Sequence, residues 1–506
     1  MARTPLAMQF REIYSTVRKE LDNQYLGDQS VSQSEKPSVS RNPTPFNDLL
    51  TDNLAPHIVI VGAGLAGLTC GYRLKQAGIS CEIYEAANRA GGRCWTRRGD
   101  FAQKQIVEAG GEVINTNHTA IRQLAHELGL ELDDLKLAER LDTNAFYYVN
   151  GDHYSHSDVV QDLKKIWKKL HRDLKAAGYP TLYHRFTKRG CELDHMSIVD
   201  WINESVPGGV NSKFGKLLEI AYTSENGAEA TDQSSLNLLY LLEMAHGSAD
   251  ERYRIRGGND QIAKKLEELL GNQIIYDTPL LAMKQKNDGR YALTFQSGMS
   301  TKDVIADKVV LALPFSILKS TVDISKAGFR SLKEIAIKEL GVAKNAKIHM
   351  QFTDRHWELL KCNGETFSDT GYQYSYEVTR AQAGSPGILV NYCGGNVCSI
   401  FNADQPHQYV NKLVNQQLEP VLPGISSKWN GKATVDYWPG YKWTRGSNSY
   451  WKVGQHTKFA GIEGEPEGNC HFAGEHTSID FQGYMNGAVE SGERAAKEIL
   501  QGLKAR

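Results

Sequence analysis

The chain has 506 residues, with 41% hydrophobic and 23% charged side chains and 46 glycines. That is globular composition and more residues than one ordinary core holds, so several domains are expected and disordered, collagen-like and coiled-coil classes are excluded. Lys and Arg number 58 against 59 Asp and Glu, a formal net charge of −1, which disfavours nucleic acid or an anionic bilayer as partner.

Residues 1–56 read as an N-terminal arm and linker, amphipathic over 10–26 and then rich in Ser, Pro, Asn and Asp. The start lacks the apolar region of a signal peptide, and no stretch approaches the about 18 apolar residues that span a bilayer. A soluble, cytoplasmic protein without a membrane anchor is expected. The eight cysteines are scattered, Cys393 and Cys398 being the closest pair, and no spacing of Cys and His suggests a metal site.

From His57 the chain reads as a βαβ unit: a strand over 58–61 (IVIV), a Gly-rich turn, a helix to Ala77 and a second strand over 81–85. In the turn GAGLAG, Gly62 permits the bend, Gly64 lets the backbone approach a pyrophosphate, and Gly67 lets helix and strand pack closely; Ala66 shares the helix N-terminus. Glu85, followed by Ala86, ends the second strand where a carboxylate accepts hydrogen bonds from a ribose. A few residues on, Gly91 and Gly92 allow the backbone to press against a phosphate or flavin ring, and Arg93 offers planar donors. The order GxGxxG, Glu, GGR points to FAD rather than NAD.

Between about residues 119 and 245 the segments IRQLAHELGLEL, VVQDLKKIWKKLHRDLKAAG, FGKLLEIAYTSENG and LNLLYLLEMAHG carry apolar residues at helical spacing, the pattern of a helical insertion. Strands return over 273–276, 291–295 and 308–313, with Asn287, Asp288 and Gly289 as a turn. KIHMQF and GILVNYCGG alternate as strands of a further sheet, and a last helix is expected over about 484–502. The fold class is therefore α/β, with a doubly wound, Rossmann-like unit from residue 57, a helical insertion and a further mixed sheet.

VIVGAGLAGL, EAANRAGGR, EAGGEVI, RIRGGNDQIAKKL, DKVVLALPFSIL and HFAGEHTSIDFQGYMNGAVESGERAAKEI occur in the order seen in the flavin monoamine oxidase superfamily, which the chain resembles over about residues 57–502. The superfamily includes monoamine oxidases, polyamine oxidases, tryptophan monooxygenases and L-amino acid oxidases. EAGGEVINTNH and DTGYQYSYEVTRAQ look most like a bacterial-type group of L-amino acid oxidases.

The resemblance implies an FAD-binding domain assembled from residues 57–118, 251–320 and 437–506, a helical and substrate-domain insertion over 119–250, and a mixed-sheet substrate domain over 321–436. It also implies flavin contacts at Gly110, Gly111, Glu112, Gly474, Glu475, Gln482, Tyr484 and Met485. It places Lys347 near flavin N5 through a water, with Gly483 and Tyr484 beside the substrate amine. Trp443, Arg445 and Asn448 lie in the segment lining the substrate face. Ser447 stands where monoamine oxidases carry a flavin-linking cysteine, so FAD should be non-covalent; Asn448 replaces one aromatic of their amine-binding pair. Val113 stands where well-studied L-amino acid oxidases often place a carboxylate-binding arginine, which leaves Arg93, Arg445 or the tyrosines Tyr374 and Tyr376 for that role. The expected activity is oxidation of an L-amino acid by O2 through hydride transfer from the α-carbon, in a possible homodimer. Amine or polyamine oxidation, or a monooxygenase-like reaction, is the alternative.

Overall fold

The structure is a computed structural model that describes residues 56–244, 250–402 and 406–504. Apart from Pro56, the expected N-terminal arm lies outside the described residues. At the centre is a five-stranded parallel sheet in the order Cys470–Phe472, Lys308–Leu311, Ile58–Val61, Glu82–Tyr84, Ile274–Ile275. Its strands come from three well-separated stretches of chain, which long-range parallel pairing allows because each crossover carries its own elements.

The strand Ile58–Val61 shows why this sheet is apolar on both faces. Successive side chains point to opposite sides. Ile58 and Ile60 pack with Leu68 and Leu74 of helix Leu65–Gln76, Ile262 and Leu266 of helix Gln261–Leu270, and Val489 of helix Met485–Lys504. Val59 and Val61 pack with Leu293, Phe295 and Met283 on the other side. That side is a second sheet, the antiparallel meander Leu280–Gln285, Tyr291–Ser297 and Ser300–Ala306 with Asp323–Lys326 along its edge. The expected turn at Asn287 to Gly289 joins its first two strands, with the Lys286 N–H donating to Arg290 O at 2.8 Å.

The substrate side is a seven-stranded sheet in the order Trp429–Tyr437, Asn345–Phe352, Gly387–Gly394, Tyr374–Glu377, Cys362–Ser368, Asn144–Val149, Asp152–Tyr154. All pairings are antiparallel except that of Cys362–Ser368 with Asn144–Val149. One face carries Tyr147, Phe367, Tyr374, Tyr376 and Tyr392 against the helices His156–Ala177, Ile198–Ser205, Lys213–Asn226 and Ser235–Met244. The other carries Ile348, Met350, Leu389 and Cys393 against Val410, Leu413 and Leu418.

Two expectations need correction. The stretch read as a helical insertion supplies two strands of this sheet, Asn144–Val149 and Asp152–Tyr154, because NAFYYV buries alternate residues in the strand period. The segment IRQLAHELGLEL is not one helix either: the helix Thr119–Glu127 stops before Gly129, which sits at φ +68°, and Leu132–Asp134 pairs with Tyr253–Ile255. Among the described residues no helix is long and apolar enough to cross a membrane.

Candidate active site

A cavity of about 340 Å3 opens at the carboxyl ends of the central strands, the place where open parallel sheets bind ligands. Gly62 bends the chain at φ +105°, and a Cβ on Gly67 would stand 1.9 Å from Gly62 O. Strand and helix therefore close on each other only without a side chain there. A Cβ on Gly64 would meet nothing within 4 Å, so that glycine faces open space at the helix N-terminus, as an approaching phosphate requires. Gly91 N–H donates to Ala63 O at 2.8 Å and docks the second Gly-rich turn against the first.

Glu85 closes the other end of the cradle. Its carboxylate accepts from Ala63 N–H at 2.7 Å and from Ala87 N–H at 2.8 Å. Burial raises its pKa above the usual carboxylate range, against the pull of those donors. Opposite lies Glu475, which accepts from Arg93 Nη1 at 2.9 Å, Ser449 N–H at 3.1 Å, Ser449 Oγ at 2.7 Å and Gly483 N–H at 2.8 Å. Burial opposes ionisation of Glu475, yet Arg93 holds its carboxyl down at about 2.

Gly62, Gly64, Ala66, Glu85, Ala86, Gly91, Gly92, Arg93, Gly111, Gly474, Glu475, Gly483, Tyr484 and Met485 all line this cavity, as does Trp443. It was also expected of Gly110, Glu112 and Gln482, which do not line it. Gly110 packs with its Cα against Arg93, where a Cβ would stand 1.7 Å from Arg93 O. Gln482 is half-buried beside the cavity. Glu112 turns the opposite way, into a second, polar cavity of about 370 Å3 that also takes in Val113, Arg254, Tyr376 and Arg380. The two cavities thus meet at consecutive residues, Gly111 and Glu112.

Lys347 lies between them. It was read as one residue of an alternating strand, where a lysine ordinarily faces water; both faces of its sheet are covered, and the side chain is 1% exposed. Its Nζ donates to Glu108 O at 3.0 Å, Gly110 O at 2.9 Å and Glu112 Oε2 at 2.7 Å. Asn259 of the RIRGGNDQ segment braces the same loop. Its backbone N–H donates to Glu108 Oε1 at 2.9 Å, and its side-chain amide donates to Gly111 O at 3.1 Å and Glu112 O at 2.5 Å.

The substrate-face residues divide. Tyr374 is stacked between Phe367 and Tyr376 at 4.6 and 5.2 Å and lines neither large cavity. Asn448 is buried, with Oδ1 lacking a partner and Nδ2 donating to Ser449 O at 3.2 Å. Arg445 is exposed, held out at φ +49°, and lines neither large cavity; as a carboxylate partner it is corrected. Sequence reasoning missed Ala312, Leu313, Pro314 and Ile317, which form a cavity wall. Their position just after a strand adjoining Ile58–Val61 was the available signal. It also missed His118, whose ring meets Tyr484 edge-on at 5.0 Å and which burial keeps neutral, its pKa lowered to about 3.

An open glycine cradle, a carboxylate at the end of the second strand and an aromatic-lined crevice together fit an adenine dinucleotide carrying a ring system. The sequence pattern of flavin-containing amine oxidoreductases matches residues 65–500. The chain belongs to this family. Within the family it is 26% identical over 90% of its length, and 96% of the relative's, to a Bacillus subtilis (strain 168) protein named "Putative L-amino-acid oxidase YobN". It is 23% identical to flavin-containing amine oxidase A of Sus scrofa over 88% of the chain and 85% of that protein. In fold it is similar to cyclohexylamine oxidase from Brevibacterium oxydans IH-35A, with TM-score 0.77 and 19% identity over 89% of this chain and 100% of that one. As a flavin amine oxidoreductase, the chain uses FAD, and the first cavity has the residues to hold it.

Proposed function

We propose that the chain oxidises L-amino acids to 2-oxo acids, with FAD bound non-covalently. The likeness to YobN along nearly the whole chain carries this reading. FAD, when bound, accepts the hydride lost from the carbon that bears the amine and passes both electrons to oxygen. In balance, amino acid, O2 and water become 2-oxo acid, ammonia and hydrogen peroxide.

The chain's own residues orient and exclude water. Tyr484 and the Gly483 backbone, which line the cofactor cavity, flank the place of the substrate amine, whereas Asn448, with its unpartnered Oδ1, lines a separate small cavity beside Arg93 and Glu475. Ser447 supports non-covalent binding: its hydroxyl is committed to Asn345 Oδ1 at 2.5 Å. Cys94 also lines the cavity, but burial pushes its thiol well above the usual range, against a reactive thiolate.

A second reading, oxidation of simple amines, is favoured by one observation. Among the described residues, six carboxylate side chains and four cationic ones line the polar cavity beside Val113, a balance that suits a cation better than a carboxylate. Anaerobic mixing of the FAD-loaded protein with L-amino acids, D-amino acids and the matching amines decides between the readings. Bleaching of the flavin by L-amino acids supports the proposal, and bleaching by amines alone overturns it.

A further inference from the structure

A buried ammonium persists only where its protons find acceptors and its charge a counter-charge. Lys347 is buried, and three acceptors meet its Nζ within 3.0 Å, as many as an ammonium has protons. Two are peptide carbonyls. The third, Glu112 Oε2, carries charge, is 4% exposed at the side chain, and accepts a second hydrogen bond from Tyr376 OH at 2.7 Å. Both Glu112 and Tyr376 line the polar cavity.

We propose that Glu112 is the positioning residue that keeps Lys347 an ammonium beside the cofactor cavity and links it, with Tyr376, to the polar cavity.

The other groups packed around Lys347 do not supply this charge. Asp436, opposite Lys347 across the sheet, is bound by Arg97 through two hydrogen bonds at 2.7 and 2.8 Å. Glu108 presents its carbonyl to Lys347 while its carboxyl is turned to Thr96 and Asn259; burial raises that carboxyl to about 7. His349, two residues along the strand, is driven well below its usual pKa by burial and by the charge on Lys347. Tyr392 faces Lys347 on the neighbouring strand, and Arg254 donates to Val378 O and Arg380 O. Among the described residues, Glu112 is the carboxylate that accepts directly from the ammonium.

The proposal rests on the oxidase reading only for the importance of reoxidation; its test does not need a substrate. The FAD-loaded wild type and the variants Glu112→Gln, Tyr376→Phe and Glu108→Gln are compared between about pH 6 and 10. The visible spectrum of the bound flavin is titrated, and the rate of reoxidation by O2 is measured after chemical reduction. Removing the carboxylate lowers the pKa of Lys347, so both readouts of Glu112→Gln acquire a titration in this window that the wild type lacks, separate from that of the Glu108 carboxyl at about 7. Above that midpoint its reoxidation rate falls about tenfold per pH unit, following the ammonium fraction. Tyr376→Phe and Glu108→Gln keep the charge at position 112 and do not acquire this titration: Tyr376→Phe loses one neutral hydrogen bond to Glu112 and shifts less than Glu112→Gln, and Glu108→Gln loses only the titration of its own carboxyl.

Superimposed profiles of Glu112→Gln and wild type overturn the proposal. So does an equal shift in Tyr376→Phe or Glu108→Gln, which would make the effect one of packing. Adding Lys347→Met to Glu112→Gln must abolish the new titration; its persistence shows that Glu112 does not act through Lys347. A wild type that no amino acid or amine reduces would defeat the proposed reaction but leave the flavin titration as a test of Glu112.

Discussion

Arg93 and Glu475 meet at 2.9 Å between Nη1 and Oε1, although one follows the second strand of the chain and the other precedes its last helix. Arg93 Nη1 also donates to Ser447 O at 2.7 Å. The pair joins the first and last FAD-binding stretches across the cavity, at the cost of a buried carboxylate that needs all of its donors.

Replacing Glu475 by Gln should therefore destabilise the fold. Breaking a buried ion pair costs about 3 to 5 kcal/mol, read as a fall of several degrees in the thermal midpoint near pH 7. The carboxyl titrates at about 2 instead of 4.5. Its stabilisation is thus present above about pH 4.5 and lost as pH falls through about 2. The gap between wild type and variant should narrow over that window. A gap that stays constant down to pH 2.5 would show that the ionised pair is not its source.

The glycines of the turn should fail in different ways. Gly67→Ala places a Cβ 1.9 Å from Gly62 O, so the apoprotein should be destabilised by several kcal/mol or fail to fold, as overpacking against backbone predicts. Gly64→Ala meets no protein atom within 4 Å and has φ −72°. The apoprotein's thermal midpoint should be unchanged while its dissociation constant for FAD rises at least about tenfold. Wild-type affinity in Gly64→Ala would remove the cofactor from that cradle.

Arg445 and Asn448 separate an exposed charge from a buried polar group. Arg445→Ala should leave the substrate KM within about twofold of wild type, since its guanidinium lines neither large cavity. Asn448 also lies outside the large cavities, in a small one shared with Arg93 and Glu475. Its buried, unpartnered Oδ1 is nevertheless the group the resemblance puts at the substrate amine, so Asn448→Ala should raise KM about tenfold, the effect of one lost buried hydrogen bond. The reverse order, with Arg445→Ala the more damaging, would restore Arg445 as a carboxylate partner.

The glycine cradle was legible in the chain because local chemistry dictates it. IVIV, GAGLAG and CEIYE are contiguous, and a turn with Gly62 at φ +105° and a Cβ-free contact at Gly67 needs glycine wherever the rest of the chain goes. The strands at Asn144–Val149 and Asp152–Tyr154 were not legible. Their short alternating pattern sits among strong helical periodicity, and Asn144–Val149, on which Asp152–Tyr154 pairs, joins the sheet through Cys362–Ser368, more than 200 positions away.

Sequence by itself determined the family, the FAD cradle and the identity of Lys347 as a lysine worth attention, since each rests on residue types at short, rigid spacing. Tertiary structure alone decided which way side chains turn once distant segments meet. It placed Glu112 against Lys347 rather than in the cofactor cavity, committed Arg93 to Glu475, and left Arg445 in solvent. Adjacent residues such as Gly111 and Glu112 present to different cavities because the backbone between them is pinned by Asn259. No local pattern records that direction: it follows from the counter-charge a buried ammonium requires, and that ammonium lies more than 200 residues along the chain.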